Sequence, residues 1–154
     1  MPYETIGVKF VLDEATTRRL GAHAATLALE AAGKVFVSDI KSAFTSAGAE
    51  GSKQATGRIY YRGVNNDIVH QASAPGQAPA VDTGRLRASI DSVMMPGNQR
   101  VLIGTPVDYA PYLEFGTSRI KPRPFFRPIV YRYRGNNDLM KKVVYQLRVT
   151  GKVK

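Results

Sequence analysis

The chain has 154 residues, a hydrophobic fraction of 44%, 22 Lys+Arg against 12 Asp+Glu, and a formal net charge of +10 at pH 7. That length fits one folding unit, or a unit with an arm, and the apolar content excludes a wholly disordered chain. With no cysteine, disulfides and cysteine-ligated zinc or iron–sulfur sites are excluded, and no apolar stretch approaches the ~20 residues that span a bilayer.

Tyr3 to Leu12 alternates, with Ile6, Val8, Phe10 and Leu12 on one side, and predicts a short strand. Met1-Pro2-Tyr3-Glu4-Thr5 lacks the basic and apolar regions of a secretory signal, so a soluble protein made inside the cell is expected. Asp13 is a good N-cap, and Glu14 suits the first turn of a long helix from Ala15 to about Ala47, bent near Gly33 and ending before Gly48. Leu20, Ala24, Leu27, Ala31 and Val35 form its first apolar stripe; Phe36, Ile40 and Phe44 continue it. That stripe is a core or subunit-contact face, and His23 is expected to be partly buried on the same helix. Gly48 to Gln54 is a polar loop.

Arg58 to Arg62 and Asp67 to Gln71, joined by Gly63-Val64-Asn65-Asn66, predict a β-hairpin. Ala72 to Val81 holds Pro75, Gly76 and Pro79 and is an extended loop. Thr83 to Ser92 predicts a short helix capped by Asp82 or Thr83, with Leu86 and Ile90 facing inward. Val93 to Met95 and Val101 to Gly104 flank Pro96-Gly97-Asn98 as a second hairpin, and Asp108 to Phe115 is a short helix or turn. Beyond Pro122, Pro124 and Pro128, a helix with Ile129, Val130 and Tyr133 is interrupted by Gly135-Asn136-Asn137. It resumes through Leu139, Val143, Val144 and Leu147. The expected fold class is α+β: a long N-terminal helix on a small, mostly antiparallel sheet, with hairpins, short helices and a basic C-terminal helix or arm.

The charge is unevenly placed. Residues 1–118 contain eleven bases and eleven acids, whereas 119–154 contains eleven bases and the single acid Asp138, so this last segment carries the whole +10. The expected organisation is one α+β domain over 1–118, with 119–154 as a basic, proline- and aromatic-rich arm and helix of the same domain. A one-signed segment is either a solvated tail or a surface for polyanions or acidic protein.

Catalytic patterns find little support. Asp82-Thr83-Gly84 is the triplet of aspartic proteases, but it follows a proline-rich loop rather than an apolar strand. Arg85 beside it would hold Asp82 ionised instead of sharing a proton, and no glycine-rich flap is evident. His23 and His70 stand apart, with no nucleophile elbow, metal-ligand spacing or phosphate-binding loop, so no enzyme, metal or cofactor is expected.

Three short blocks carry more. They are Asp82-Thr83-Gly84-Arg85-Leu86-Arg87-Ala88-Ser89-Ile90, Asp108-Tyr109-Ala110-Pro111-Tyr112-Leu113-Glu114-Phe115-Gly116-Thr117, and Lys121-Pro122-Arg123-Pro124-Phe125-Phe126-Arg127-Pro128. Gly84 lets other backbone approach, Tyr109, Tyr112, Leu113 and Phe115 offer an aromatic contact surface, and Gly116 stops a helix. The stiff proline run lets Phe125 and Phe126 anchor in a core or in a neighbour. Charge alone pairs Glu114 with Arg87 or Arg119.

In order and spacing these blocks resemble the tail-completion (head–tail joining, or neck) proteins of long-tailed double-stranded DNA bacteriophages. The resemblance rests on Thr83, Gly84, Leu86 and Ser89; on Tyr109, Ala110, Tyr112, Glu114, Gly116 and Thr117; and on Pro122, Pro124 and Phe125. It is close over residues 72–130, and departs from the family where the C-terminal helix is interrupted and strongly basic. It implies a non-enzymatic virion protein, made in the host cytoplasm, that forms a homo-oligomeric ring at the head–tail junction, with six copies expected. Its implied partners are a head-closure or connector protein, a tail terminator or tail-tube protein, and genomic DNA passing without sequence readout. Asp82 and the motif residues are then interface candidates. Arg119, Lys121, Arg123, Arg127, Arg132, Arg134, Lys141 and Lys142 are candidate contacts to channel DNA or an acidic partner. The competing reading is a stand-alone nucleic-acid-binding module, favoured by tyrosines among the C-terminal bases and weakened by the lack of any helix-turn-helix, zinc or RNP motif.

Overall fold

The computed structural model describes residues 6–11, 15, 18, 21–45, 54–66, 68–95, 100–134 and 138–150. The expected Asp13 cap, the loop after Ala47, the Pro96-Gly97-Asn98 turn and the Gly135-Asn136-Asn137 interruption lie outside them. Strand β1 (Ile6–Val11) leads to helix α1 (Ala22–Ala43), the hairpin β2 (Ile59–Arg62) and β3 (Ile68–Gln71), and helix α2 (Arg85–Ser89). Strands β4 (Asp91–Met95) and β5 (Arg100–Thr105) follow, then helices α3 (Ala110–Phe115), α4 (Arg127–Tyr133) and α5 (Asp138–Val149). The α+β class is therefore as expected.

Two sheets form. One has the order β1-β5-β4, all antiparallel, with Ile6 opposite Thr105 and Val11 opposite Arg100 on one side of β5, and Asp91 opposite Gly104 on the other. The second is the β2–β3 hairpin, with Ile59 opposite Gln71 and Arg62 opposite Ile68. In β5, Val101, Ile103 and Thr105 are all buried; their spacing of two puts them on the face that meets α1.

Helix α1 differs from expectation at three points. Ala15 and Arg18 are helical, but Gly21 has φ 76° and separates them from α1, so the break falls at Gly21. The helix then runs unbroken through Gly33, where no bend is needed to explain the glycine. A Cβ there would sit 2.9 Å from Val101 Cγ2 and 3.0 Å from Ser92 Oγ, so Gly33 admits the sheet. The end also comes early: Phe44 is extended, and Thr45 pairs with Ala80 through Thr45 N–H to Pro79 O and Val81 N–H to Thr45 O. Ala24 of the expected stripe is exposed, as is His23, while Ala25 and Leu29 outside the stripe are buried. Alanine on every side hides the helical phase that larger residues would reveal.

One hydrophobic cluster joins α1 to the sheet, to α2 and to the segment after Pro124. Phe36 and Tyr133 rings lie 5.4 Å apart, as do those of Phe44 and Phe125, and Phe125 and Phe126 are 4.9 Å apart. Phe125 and Phe126 thus anchor this chain's own core. Helix α5 docks separately on α1 through Val143 and Leu147 against Ala31, Leu27 and Ala28. Helix α4 ends at Tyr133, with Arg134 extended, and α5 is described over Asp138–Val149.

Candidate functional site

The first motif block opens on a turn. Helix α2 is preceded by Gly84 at φ 78°, which takes the N-cap position in place of Asp82 or Thr83, while Thr83 Oγ1 accepts from Arg85 N–H at 3.4 Å. Nothing lies within 4 Å of where a Gly84 Cβ would point, so the residue supplies a left-handed turn, not a close approach. Leu86 and Ile90 are buried as expected. Ser89 Oγ donates to Leu86 O at 2.8 Å and lies 2.6 Å from Thr105 Oγ1, which accepts from Val107 N–H at 3.2 Å. Each hydroxyl has one proton, so Thr105 donates to Ser89 and the buried chain is fully satisfied. Arg87 Nε donates to Lys41 O in the last turn of α1, where helix carbonyls lack partners.

The second and third blocks are clamped together by Glu114. Its side chain is 0% exposed. One carboxylate oxygen accepts from the backbone N–H groups of Phe125 (2.7 Å) and Phe126 (3.0 Å). The other accepts from Arg127 N–H (2.9 Å) and Arg127 Nε (3.1 Å), while Arg127 Nη2 donates to Glu114 O (2.7 Å). The carboxylate occupies the N-terminus of α4, where free N–H groups and the helix dipole favour an anion. Arg127, not Arg87 or Arg119, is therefore the ion-pair partner.

Gly116 ends α3 at φ 78°, donating to Tyr112 O, and its missing Cβ leaves room for Ile120 O 2.7 Å away. Thr117 Oγ1 then accepts from the N–H groups of Arg119 and Ile120, and Arg123 N–H donates to Leu113 O. These bonds return the chain across α3 so that the third block lies beside the second.

Exposed members of the blocks meet at two adjoining clefts. The first, of about 490 Å³, lies between Tyr60 and His70 of the hairpin and the loop carrying Arg119, Ile120, Lys121 and Arg123. The second, of about 290 Å³, is lined by Asp82, Thr83, Gly84, Arg85, Leu86 and Tyr109, among others. Pro79, Ala80 and Leu113 belong to both walls. Nearby on α3, Tyr112 is 56% and Phe115 58% exposed. The Arg127 guanidinium lies 5.2 Å from the Phe115 ring centre.

The remaining candidates divide between internal and surface work. Ala110 and Phe125 are buried, and Pro122 O accepts from Gly76 N–H. Pro124 and Arg132 line a separate cleft beside Asp39. Arg123 Nε donates to Ser73 O at 3.1 Å, and Lys142 Nζ to Asp39 at 2.6 Å. Lys141 pairs with Asp138 at 3.5 Å on the surface, and Arg134 is exposed. Among the eight expected basic contacts, Arg123, Arg127 and Lys142 thus hold this chain's own structure, and Lys141 also has an intrachain partner.

Sequence reasoning missed two further hubs. Asp39 accepts from both Tyr133 OH and Lys142 Nζ, and the ammonium sits 5.5 Å from the Tyr133 ring centre. Burial, then the bond to Asp39, raises the Tyr133 pKa; the bonds to Asp39 and Tyr133 raise that of Lys142. Gln77 Oε1 accepts from Ala74 N–H and Thr56 Oγ1 while its Nε2 donates to Gln54 O, tying the hairpin base to the loop. Neither hub has a local signal, because its partners are distant in sequence. Among the described residues, no group of three or more His, Asp or Glu could hold a metal, and no helix is long and apolar enough to cross a membrane.

A family model described as "Bacteriophage HK97-gp10, putative tail-component" matches residues 17–116. The chain belongs to the HK97-gp10-like family. The shared region covers α1, the hairpin, β4, β5 and α3, and with them the first block and the second as far as Gly116. The third block and the basic segment lie beyond the HK97-gp10-like match. No curated protein and no solved structure matches the chain significantly.

Proposed function

We propose that this phage tail component is a non-enzymatic structural protein that forms a closed ring at the head–tail junction and joins the head connector to the tail tube. The observation that carries the reading is convergence: solvent-facing residues of all three motif blocks line two adjoining clefts, next to exposed Tyr112 and Phe115. A ring of identical subunits needs two different faces that fit each other. Here the Asp82–Arg85 turn, Tyr109, Tyr112 and Phe115 supply one such face, with the aromatics as anchors. The buried members, Leu86, Ala110, Glu114 and Phe125, and the half-buried Ser89 and Gly116 hold that face in shape.

Six copies are the expected number, by resemblance to the hexameric terminator and tube layers of long tails. A head-closure or connector protein meets one side of the ring and a terminator or tube protein the other. Arg134, Lys141 and Arg132 supply phosphate contacts to passing DNA, which need no sequence readout. Residues 1–118 and 119–154 form one folding unit, since Phe125, Ile129 and Tyr133 share a core with Phe36 and Ile40. The stand-alone nucleic-acid module is the weaker reading, because Arg123, Arg127 and Lys142 have intrachain partners. Deleting the gene from its phage tests the proposal. DNA-filled heads and separate, finished tails should accumulate, and joined infectious particles formed without the chain would refute it.

A further inference from the structure

We infer that the cleft between the hairpin and the Arg119–Arg123 loop is the docking site for an extended acidic segment, with aliphatic side chains beside its carboxylates, from a different virion protein. Three observations carry this. The cleft is cationic on one side, where Arg119 and Lys121 are exposed, and none of the residues lining it is acidic. The Asp82 carboxylate belongs to the adjoining cleft and sits 3.7 Å from His70 Nδ1.

Its opposite character is apolar. Pro75, Pro79, Leu113 and Ile120 line it and offer nothing to a sugar–phosphate backbone, whereas they suit aliphatic side chains. At about 490 Å³ the space takes a few residues of peptide, and a duplex with a major groove alone ~12 Å wide does not enter it. Finally, Ser73 lines the cleft, is 2% exposed, and its Oγ has no hydrogen-bond partner. A buried hydroxyl without a partner is costly, which leaves a polar group still unsatisfied in the cleft wall at Ser73.

The occupant is not a second copy. The ring face proposed above is the adjoining Asp82–Arg85 turn with the α3 aromatics, and a neighbouring copy's residues 119–154, where all of its +10 lies, are repelled by a cation-lined cleft. The inference rests on the assembly reading for where the partner comes from, but binding is measured on the isolated chain, so either can fail without the other.

The probe is a rhodamine-labelled, end-capped Glu-Leu-Asp-Leu-Glu peptide, titrated into the full chain and followed by fluorescence anisotropy. Saturable binding is expected, weakened by salt as charges are screened. The double variant R119A/K121A should weaken it about tenfold, as expected for loss of two charge-assisted contacts. Both side chains are exposed, so an unchanged melting temperature certifies the fold of that variant. K9A/R148A, which removes the same charge elsewhere, should bind like the parent. The inference is overturned if the Gln-Leu-Asn-Leu-Gln peptide binds equally well, if R119A/K121A binds as tightly as the parent, or if K9A/R148A weakens binding as much. Displacement of the peptide by duplex DNA, undone by R119A/K121A, would assign the cleft to DNA instead.

Discussion

Removing the Glu114 carboxylate strands four donors at once, three backbone N–H groups and Arg127 Nε, in a site where the side chain is fully buried. Glu114→Ala should therefore cost about 3–5 kcal/mol, the range for breaking a buried charged network, and denaturant melts should show it. Glu114→Gln keeps the volume but turns an amide NH₂ toward N–H donors, so a smaller loss of roughly 1–3 kcal/mol is expected. Glu114 also shows what sequence reading misses. Its importance was legible from the motif, yet its partner was not, because charge alone cannot decide among Arg87, Arg119 and Arg127. The choice is made by the turn at Gly116 and Thr117, which folds the third block back over α3. Two glycines separate the roles that one residue type can play. Gly116→Ala meets both a positive φ and the Ile120 carbonyl, whereas Gly84→Ala meets the positive φ alone. Gly84→Ala should cost about 1–2 kcal/mol and Gly116→Ala clearly more, measured in the same melts.

At the level of elements, α5 is held on α1 by a small apolar patch and by the Asp39–Tyr133–Lys142 cluster. Lys142 has its pKa raised above 10.5 by its bonds to Asp39 and Tyr133, and Tyr133 has its own raised above 10.0 mainly by burial. A raised pKa stabilises the fold below the unfolded value and loses that stabilisation as pH climbs through the folded one. As pH rises from neutrality, docking of α5 should thus be unchanged at first and weaken above about pH 10. Tyrosinate absorbance tests this. One of the eight tyrosines should ionise late, together with a loss of helical circular dichroism, and Tyr133→Phe should remove that late step. Simultaneous ionisation of all eight would contradict it. Strands and hairpins were readable from alternation and turn residues, since their period survives any tertiary context. The long helix was readable in type but not in phase. Alanines surround it, and Gly33 looks the same in sequence whether it bends a helix or admits a sheet.

For the whole molecule, the partition of charge at residue 118 does not coincide with a partition of structure. Phe125, Phe126, Ile129 and Tyr133 complete the core, whereas α5 docks through a separate cluster. A chain ending at Ser118 should fail to fold. One ending at Arg134 should still melt cooperatively at a lower temperature, as circular dichroism will show. The fold class was legible because periodicity and turns report locally, while the clefts were not, because they exist only once residues distant in sequence are brought side by side. The assembly reading joins these scales: buried motif residues shape a surface that exposed motif residues present to neighbours. Cryo-electron microscopy of the head–tail junction of the phage particle tests that claim most directly. The account predicts a closed ring of this chain around the DNA channel, with the Asp82–Arg85 turn and the α3 aromatics at the subunit boundary. A chain absent from the junction, or present there only as isolated monomers, would contradict it.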